Sequence, residues 1–267
     1  MLKKQIILII GGAALIFGLF FFGKTVDHTK QATVKPLNVS KTIDFELLIT
    51  KAKESLSPKD IDFINNLSTQ AHSNVLLSEA WEARKNYLIA AYYLQAANNK
   101  NPNGEGWIKT AKLYALAFFN EPKSPYIDQI SALTIDAFNK AIEQNPEITD
   151  LKIALANFYI ESKADIMSGV KLLLSIVEKQ PDNVTAQMTL ARLAITSGQY
   201  DKAIKRLETI IGLQPNNPEA YFTIAEAYLA TGEKGRAIES IEKCKTLVND
   251  DSSLHQLDDY ITKIKNS

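Results

Sequence analysis

Two adjacent stretches, VTAQMTLARLAITSGQYDKAIKRLETIIGLQPNN (184–217) and PEAYFTIAEAYLATGEKGRAIESIEKCKTLVNDD (218–251), superpose with a shift of 34 residues. Ala186 falls on Ala220, Thr189 on Thr223, Ala191 on Ala225, Gly198 on Gly232, Ala203 on Ala237, Ile204 on Ile238, Glu208 on Glu242 and Leu213 on Leu247. A fixed period of this length marks a stacked array of helical hairpins, in which each unit buries its apolar face only against its neighbours. The fold class expected is therefore all-α, a right-handed superhelical array of hairpins.

Each recurring position has a physical reason. Ala191 and Ala203 stand where two helices cross and a larger side chain would drive the backbones apart. Gly198 ends a helix in the left-handed conformation that a β-carbon disfavours. In PNNPEA (215–220), Asn217 is placed to cap the next helix and Pro218 to take its first position.

Working outward, the unit before 184 opens with Leu155, Asn157 and Tyr159 and closes with VKLLLSIVEKQP (170–181); its turn, Glu161 to Ser168, is one residue longer than the regular one. Before it, Trp107, Ala111 and Tyr114 begin a hairpin that AFNKAIEQNP (137–146) closes. FFNEPKSPY (118–126) adds about 11 residues there, and its two prolines predict a projecting loop. Further upstream, Ser57-Pro58-Lys59-Asp60 is a strong helix start, followed by Ile61, Ile64 and Leu67. A single helix rich in Ala, Leu and aromatics is expected between Asn74 and Asn98, with Trp81 in its core. Downstream, Leu254, Leu257, Ile261 and Ile264 recur on one face, with Asp258, Asp259, Lys263 and Lys265 on the other, as in a cap for the open end of the stack.

The N-terminal run QIILIIGGAALIFGLFFFG (5–23) carries no charge. As a helix it would cover about 28 Å, close to the hydrocarbon thickness of a bilayer. It reads as a transmembrane helix; the competing reading is a cleaved signal peptide, against which stand its length and the lack of a small-residue cleavage site near Gly23. Ala14 and Gly18 have a helix-pairing spacing, and lipid-facing filler explains them as well. Lysines on both sides of the run leave orientation to the short basic tail, which favours the N-terminus inside. The expected location is thus the inner membrane, single-pass, with the C-terminal domain periplasmic. The expected divisions are a basic tail (1–4), the transmembrane helix (5–23), a tether (24–41), degenerate hairpins (42–103), repeats over 104–250 (104–149, 150–183, 184–217, 218–251) and a capping helix (252–267).

Composition bounds the chemistry. The 267 residues are 46% hydrophobic and 22% charged, with 30 basic and 30 acidic side chains. That supports a core and argues against an electrostatic footprint for nucleic acid. His28, His72 and His255 lie far apart without a hydroxyl or acidic partner at a telling spacing, and no phosphate loop, HExxH or GxSxG occurs. Cys244, the only cysteine, falls at a small buried position and reads as an inert thiol. Asp250-Asp251 and Asp258-Asp259 read as helix-end charges. No catalytic, metal or cofactor site, and no small-molecule substrate, is expected.

The repeats resemble the tetratricopeptide repeat. Gln187, Leu190, Ala191 and Ala194, then Tyr221, Ile224, Ala225 and Tyr228, stand at the W-x2-L-G-x2-Y positions of that family, with Gly198 and Gly232 in the turns, Ala203 and Ala237 at the small position and Pro215 as the closing proline. Asn249 replaces the last closing proline and Cys244 the small residue near the second helix's end. The resemblance implies a groove lined by the first helices of successive hairpins, here Ile153 and Asn157, Met188 and Arg192, Phe222 and Glu226. The mode that grips a C-terminal carboxylate needs a basic residue where Met188 and Phe222 stand, so an amphipathic helix or hydrophobic segment is the ligand implied. Packing of Met188 and Phe222 between hairpins is the alternative. The whole resembles membrane-anchored interaction scaffolds or chaperone-like adaptors of the cell envelope, such as ancillary translocon subunits, with a protein partner. Repeat subunits of cytochrome c maturation or of pilus and outer-membrane assembly are the alternative, and a cytoplasm-facing adaptor a further one.

Overall fold

The computed structural model describes residues 42–266, which contain thirteen α-helices and no strand. They are α1 (Phe45–Glu54), α2 (Pro58–Ser68), α3 (Ser73–Ala83), α4 (Tyr87–Lys100), α5 (Gly104–Asn120), α6 (Ile127–Gln144), α7 (Thr149–Glu161), α8 (Ile166–Lys179), α9 (Val184–Thr196), α10 (Tyr200–Leu213), α11 (Pro218–Ala230), α12 (Lys234–Lys245) and α13 (Asp251–Asn266). From α3 onward each helix packs against the next, and α7, α9 and α11 also touch across successive hairpins. The all-α repeat array expected from the 34-residue period is what the chain forms.

Local signals set the helix ends. Ser57 accepts a hydrogen bond from the Asp60 amide at 3.2 Å, and Pro58 opens α2. Asn183 and Asn217 accept from the Ala186 and Ala220 amides at 3.0 and 3.1 Å, each satisfying a donor that the first helical turn leaves unpaired. Gly198 and Gly232 adopt φ of 73° and 83° after α9 and α11.

Two expectations are corrected. The stretch 74–98 is two helices, because the chain reverses at Arg84-Lys85-Asn86. Lys85 adopts φ 60°, and the Asn86 amide donates to the Trp81 carbonyl at 3.0 Å, as Gln199 does to Ala194 at 2.7 Å and Glu233 to Tyr228 at 2.8 Å. The turn is the one the glycines make, with a lysine in the glycine's place. Likewise, 118–126 does not form one long loop. Compared with α9 and α10, α5 and α6 are each four residues longer, and the connection 121–126 is three residues longer than 197–199. Pro122 and Pro125 sit in that connection, where neither interrupts a helix.

The core is divided like the repeats. One cluster runs from Ile43 to Phe158 around Trp81, Ile89, Tyr114 and Ile130; another runs from Met188 to Ile264 around Leu207, Ile210 and Ile241. Between them Ile153, Ala156, Leu173, Ile176, Ala186 and Leu190 join α7, α8 and α9. The fourth residue of α4, α8, α10 and α12 is small and buried, Ala90, Gly169, Ala203 and Ala237 respectively, whereas in α6 it is Ile130. The cap is α13, whose Leu257, Ile261 and Ile264 are buried against the last hairpin, and Lys245 of α12 is ion-paired with Asp258.

No helix among the described residues is long and apolar enough to cross a membrane. The expected single-pass inner-membrane location with a periplasmic domain is corrected on that finding; the run 5–23, on which it rested, lies outside the described residues, as do the basic tail and the tether.

Candidate functional site

The six residues expected to line a groove fall at two equivalent places. Ile153, Met188 and Phe222 are the fifth residues of α7, α9 and α11; Asn157, Arg192 and Glu226 are the ninth. One helical turn separates the two rows, so they lie side by side on one face. The first helices supply this face because the second helices α8, α10 and α12 pack on their other side.

Depth differs along the rows. Ile153 is 4% exposed and Met188 6%, each inside a core cluster. Phe222, Asn157 and Glu226 are half-buried and Arg192 is exposed. The face therefore presents mainly Asn157, Arg192, Phe222 and Glu226, with Ile153 and Met188 as its floor.

Phe222 meets the Tyr260 ring of the cap at a centroid distance of 5.9 Å and an angle of 37°. Tyr260 thus joins the face, a contribution the repeat alignment could not supply because α13 lies outside the repeat. Burial and the neighbouring Glu226 carboxylate push its phenol up to about 12.

The electrostatics centre on Arg192. Its guanidinium is ion-paired with Glu219, one turn before Phe222. Its pKa is lowered by burial, with Glu226 opposing. Burial pushes Glu226 up to about 7 although the charge of Arg192 pulls it down. A carboxylate that stays high beside a guanidinium has lost much of its water without gaining hydrogen bonds in return. At the other end of the row, Asn157 Oδ1 is buried and has no hydrogen-bond partner, which ordinarily costs about 1–3 kcal/mol. Glu161, on the next turn of α7, also has its pKa raised by burial.

Among the described residues no three His, Cys, Asp or Glu side chains are grouped to hold a metal ion. Cys244 is buried and pushed up to about 11 by desolvation, far from the thiolate form that reacts. Shallow, open depressions lie at two inter-helix turns, one at Gln214–Pro218 and one at Gly198–Lys202 with Thr231; neither includes a residue of the two rows.

The tetratricopeptide repeat profile matches residues 168–212 and 194–257. No curated protein matches the chain. Among solved structures it is similar to a tetratricopeptide repeat protein from Parabacteroides merdae (19% identity, TM-score 0.53, 83% of this chain and 87% of that one). It is also similar to PilW, a type IV pilus biogenesis factor (17%, 0.52, 72% and 84%), and to pilF of Pseudomonas aeruginosa (14%, 0.51, 76% and 86%). At these identities the likeness is one of fold. The matched segment, 168–257, is about a third of the chain, and the hairpins stacked there are similar to tetratricopeptide repeats.

Proposed function

We propose that the chain is a non-enzymatic interaction scaffold that holds a segment of a partner protein along the first-helix face of α7, α9 and α11. The observation that carries this reading is the half-buried Glu226 beside Phe222, with the exposed Arg192 and the half-buried Asn157 in the same row. Glu226 is partly desolvated without a hydrogen bond in return, so a segment laid across it can satisfy a group the fold leaves under-satisfied. The family supports it, because tetratricopeptide repeats are protein-interaction scaffolds. An amphipathic helix or hydrophobic segment fits the half-buried Phe222 ring and its Tyr260 neighbour.

A photo-crosslinking side chain introduced at position 192 is expected to trap a partner, whereas one at position 205 on the exposed side of α10 is not. Phe222→Glu, checked for native helicity, is expected to abolish the adduct. Equal trapping from both positions, or capture that survives Phe222→Glu, overturns the assignment.

A further inference from the structure

The C-terminal end of this face has a charge imbalance that specifies more about its occupant. Its charged and titratable groups come from three helices: Arg192 from α9, Glu219 and Glu226 from α11, and the Tyr260 phenol from α13. The guanidinium of Arg192 is engaged by Glu219. One carboxylate, Glu226, is left with only the more distant attraction of that same cation; no charge on α10 or α12, which pack on the other sides of α11, acts on it. Its neighbours on the face are the Phe222 and Tyr260 rings, a turn away on α11 and across on the cap.

Resting on the reading of this face as the binding surface, we propose that Glu226, beside the Phe222–Tyr260 ring pair, receives the side-chain cation of one Lys or Arg carried by an otherwise apolar partner segment.

Charge complementarity selects this occupant. An acidic segment, or a free C-terminal carboxylate, would meet Glu219 and Glu226 against one already paired arginine. A wholly apolar segment would cover the Glu226 carboxylate and strip its remaining water with nothing in exchange, the costly outcome for a buried charge. A cation supplies the missing donor as a charge-assisted hydrogen bond, and the neighbouring pair of aromatic rings, Phe222 and Tyr260, offers the same cation a quadrupole. The stem of a lysine or arginine is itself apolar and can lie along Phe222 while its head reaches Glu226. The rest of the segment meets the half-buried Phe222 ring, which asks for apolar side chains.

Random peptides displayed on phage and selected against the full chain at pH 8, in parallel with its Glu226→Gln and Phe222→Glu variants, test this. The expected pool from the unmodified chain is apolar with one Lys or Arg; the basic preference disappears with Glu226→Gln while apolar enrichment remains, and Phe222→Glu enriches nothing. A synthetic peptide from the pool is expected to bind the unmodified chain about tenfold more weakly at pH 5.5 than at pH 8, as Glu226 protonates, and Glu226→Gln with no such pH step. Apolar peptides without a basic preference, or a preference that survives Glu226→Gln, overturn this inference and leave the binding face standing. No enriched peptides from the unmodified chain, or the same peptides from Phe222→Glu, overturn both.

Discussion

The ring of Phe222 lies 5.9 Å from that of Tyr260, tilted by 37°, so the helix that caps the array also completes the end of its candidate binding face. Closing the stack and shaping the face are one packing event. The cap is held mainly by Leu257, Ile261 and Ile264, buried against the last hairpin, since its outer side is polar. Ile261→Ala removes side-chain atoms that are 4% exposed and is expected to cost about 2–4 kcal/mol in urea unfolding. A loss under about 0.5 kcal/mol would mean that the cap packs too loosely to position Tyr260.

The turn after each first helix makes a second prediction. Lys85 and Lys163 adopt φ of 60° and 58° where Gly198 and Gly232 adopt 73° and 83°. A β-carbon in this region costs about 1–2 kcal/mol, and part of that is offset because glycine loses more backbone freedom on folding. Lys85→Gly and Lys163→Gly are each expected to stabilise by about 0.5–1 kcal/mol, and Gly198→Ala to destabilise by about 1 kcal/mol. Thermal melts of the three variants check the signs; a destabilising Lys85→Gly would show that the lysine side chain, not its backbone, holds that turn.

These turns also show what could be read from the residues alone. The period was legible over 184–251 because Gly198 and Gly232 mark both reversals. The equivalent reversal at Lys85 was hidden because backbone hydrogen bonds to Trp81 and Glu82 impose it on a residue that carries no turn signal; its trace is the three-residue connection leading to Tyr87, as 197–199 leads to Tyr200. At 118–126 the prolines marked the connection but not its length, because the extra residues are absorbed as about one more turn in each flanking helix. The equivalence of the two rows across α7, α9 and α11 followed from the repeat. Their depth did not: Met188 and Ile153 sink into separate clusters through neighbours that differ between units, and Tyr260 comes from a helix outside the period.

Glycine to alanine is expected to have opposite signs at two helical positions. A β-carbon at Gly169 would lie 2.6 Å from the Ala156 carbonyl oxygen and 2.8 Å from Ile160 Cγ1. At the equivalent positions Ala203 and Ala237 fit, so α7 and α8 cross more tightly than the hairpins after them. Gly169→Ala must push backbone from backbone and is expected to cost about 1–3 kcal/mol. A β-carbon at Gly212, inside α10, meets nothing within 4 Å, and Gly212→Ala is expected to gain about 0.5–1 kcal/mol. Denaturant midpoints decide between this account and one in which helix propensity dominates at both sites; the latter makes both substitutions stabilising.

Glu226 gives stability a pH dependence of definite sign. Burial raises its carboxyl from an ordinary value of 4.5 to about 7 in the folded chain, against the pull of Arg192. The folded state therefore holds a proton that the unfolded state has released between those values, and the native state binds the more protons there. Stability from this group is complete below about pH 4.5 and is lost as pH rises through about 7. Above pH 7 the folded chain carries a half-buried carboxylate that Gln would replace without charge. Glu226→Gln is accordingly expected to stabilise by about 1–2 kcal/mol at pH 8, discounted for the solvent that still reaches the site, and to change little at pH 4.5. Urea unfolding at the two pH values measures the difference, since urea adds no ionic screening. A gain of equal size at both would assign the effect to packing or hydrogen bonding of the amide. A loss at pH 8 would show that the carboxylate is held by Arg192 more firmly than it is penalised by burial, leaving it no unmet demand for a partner's cation.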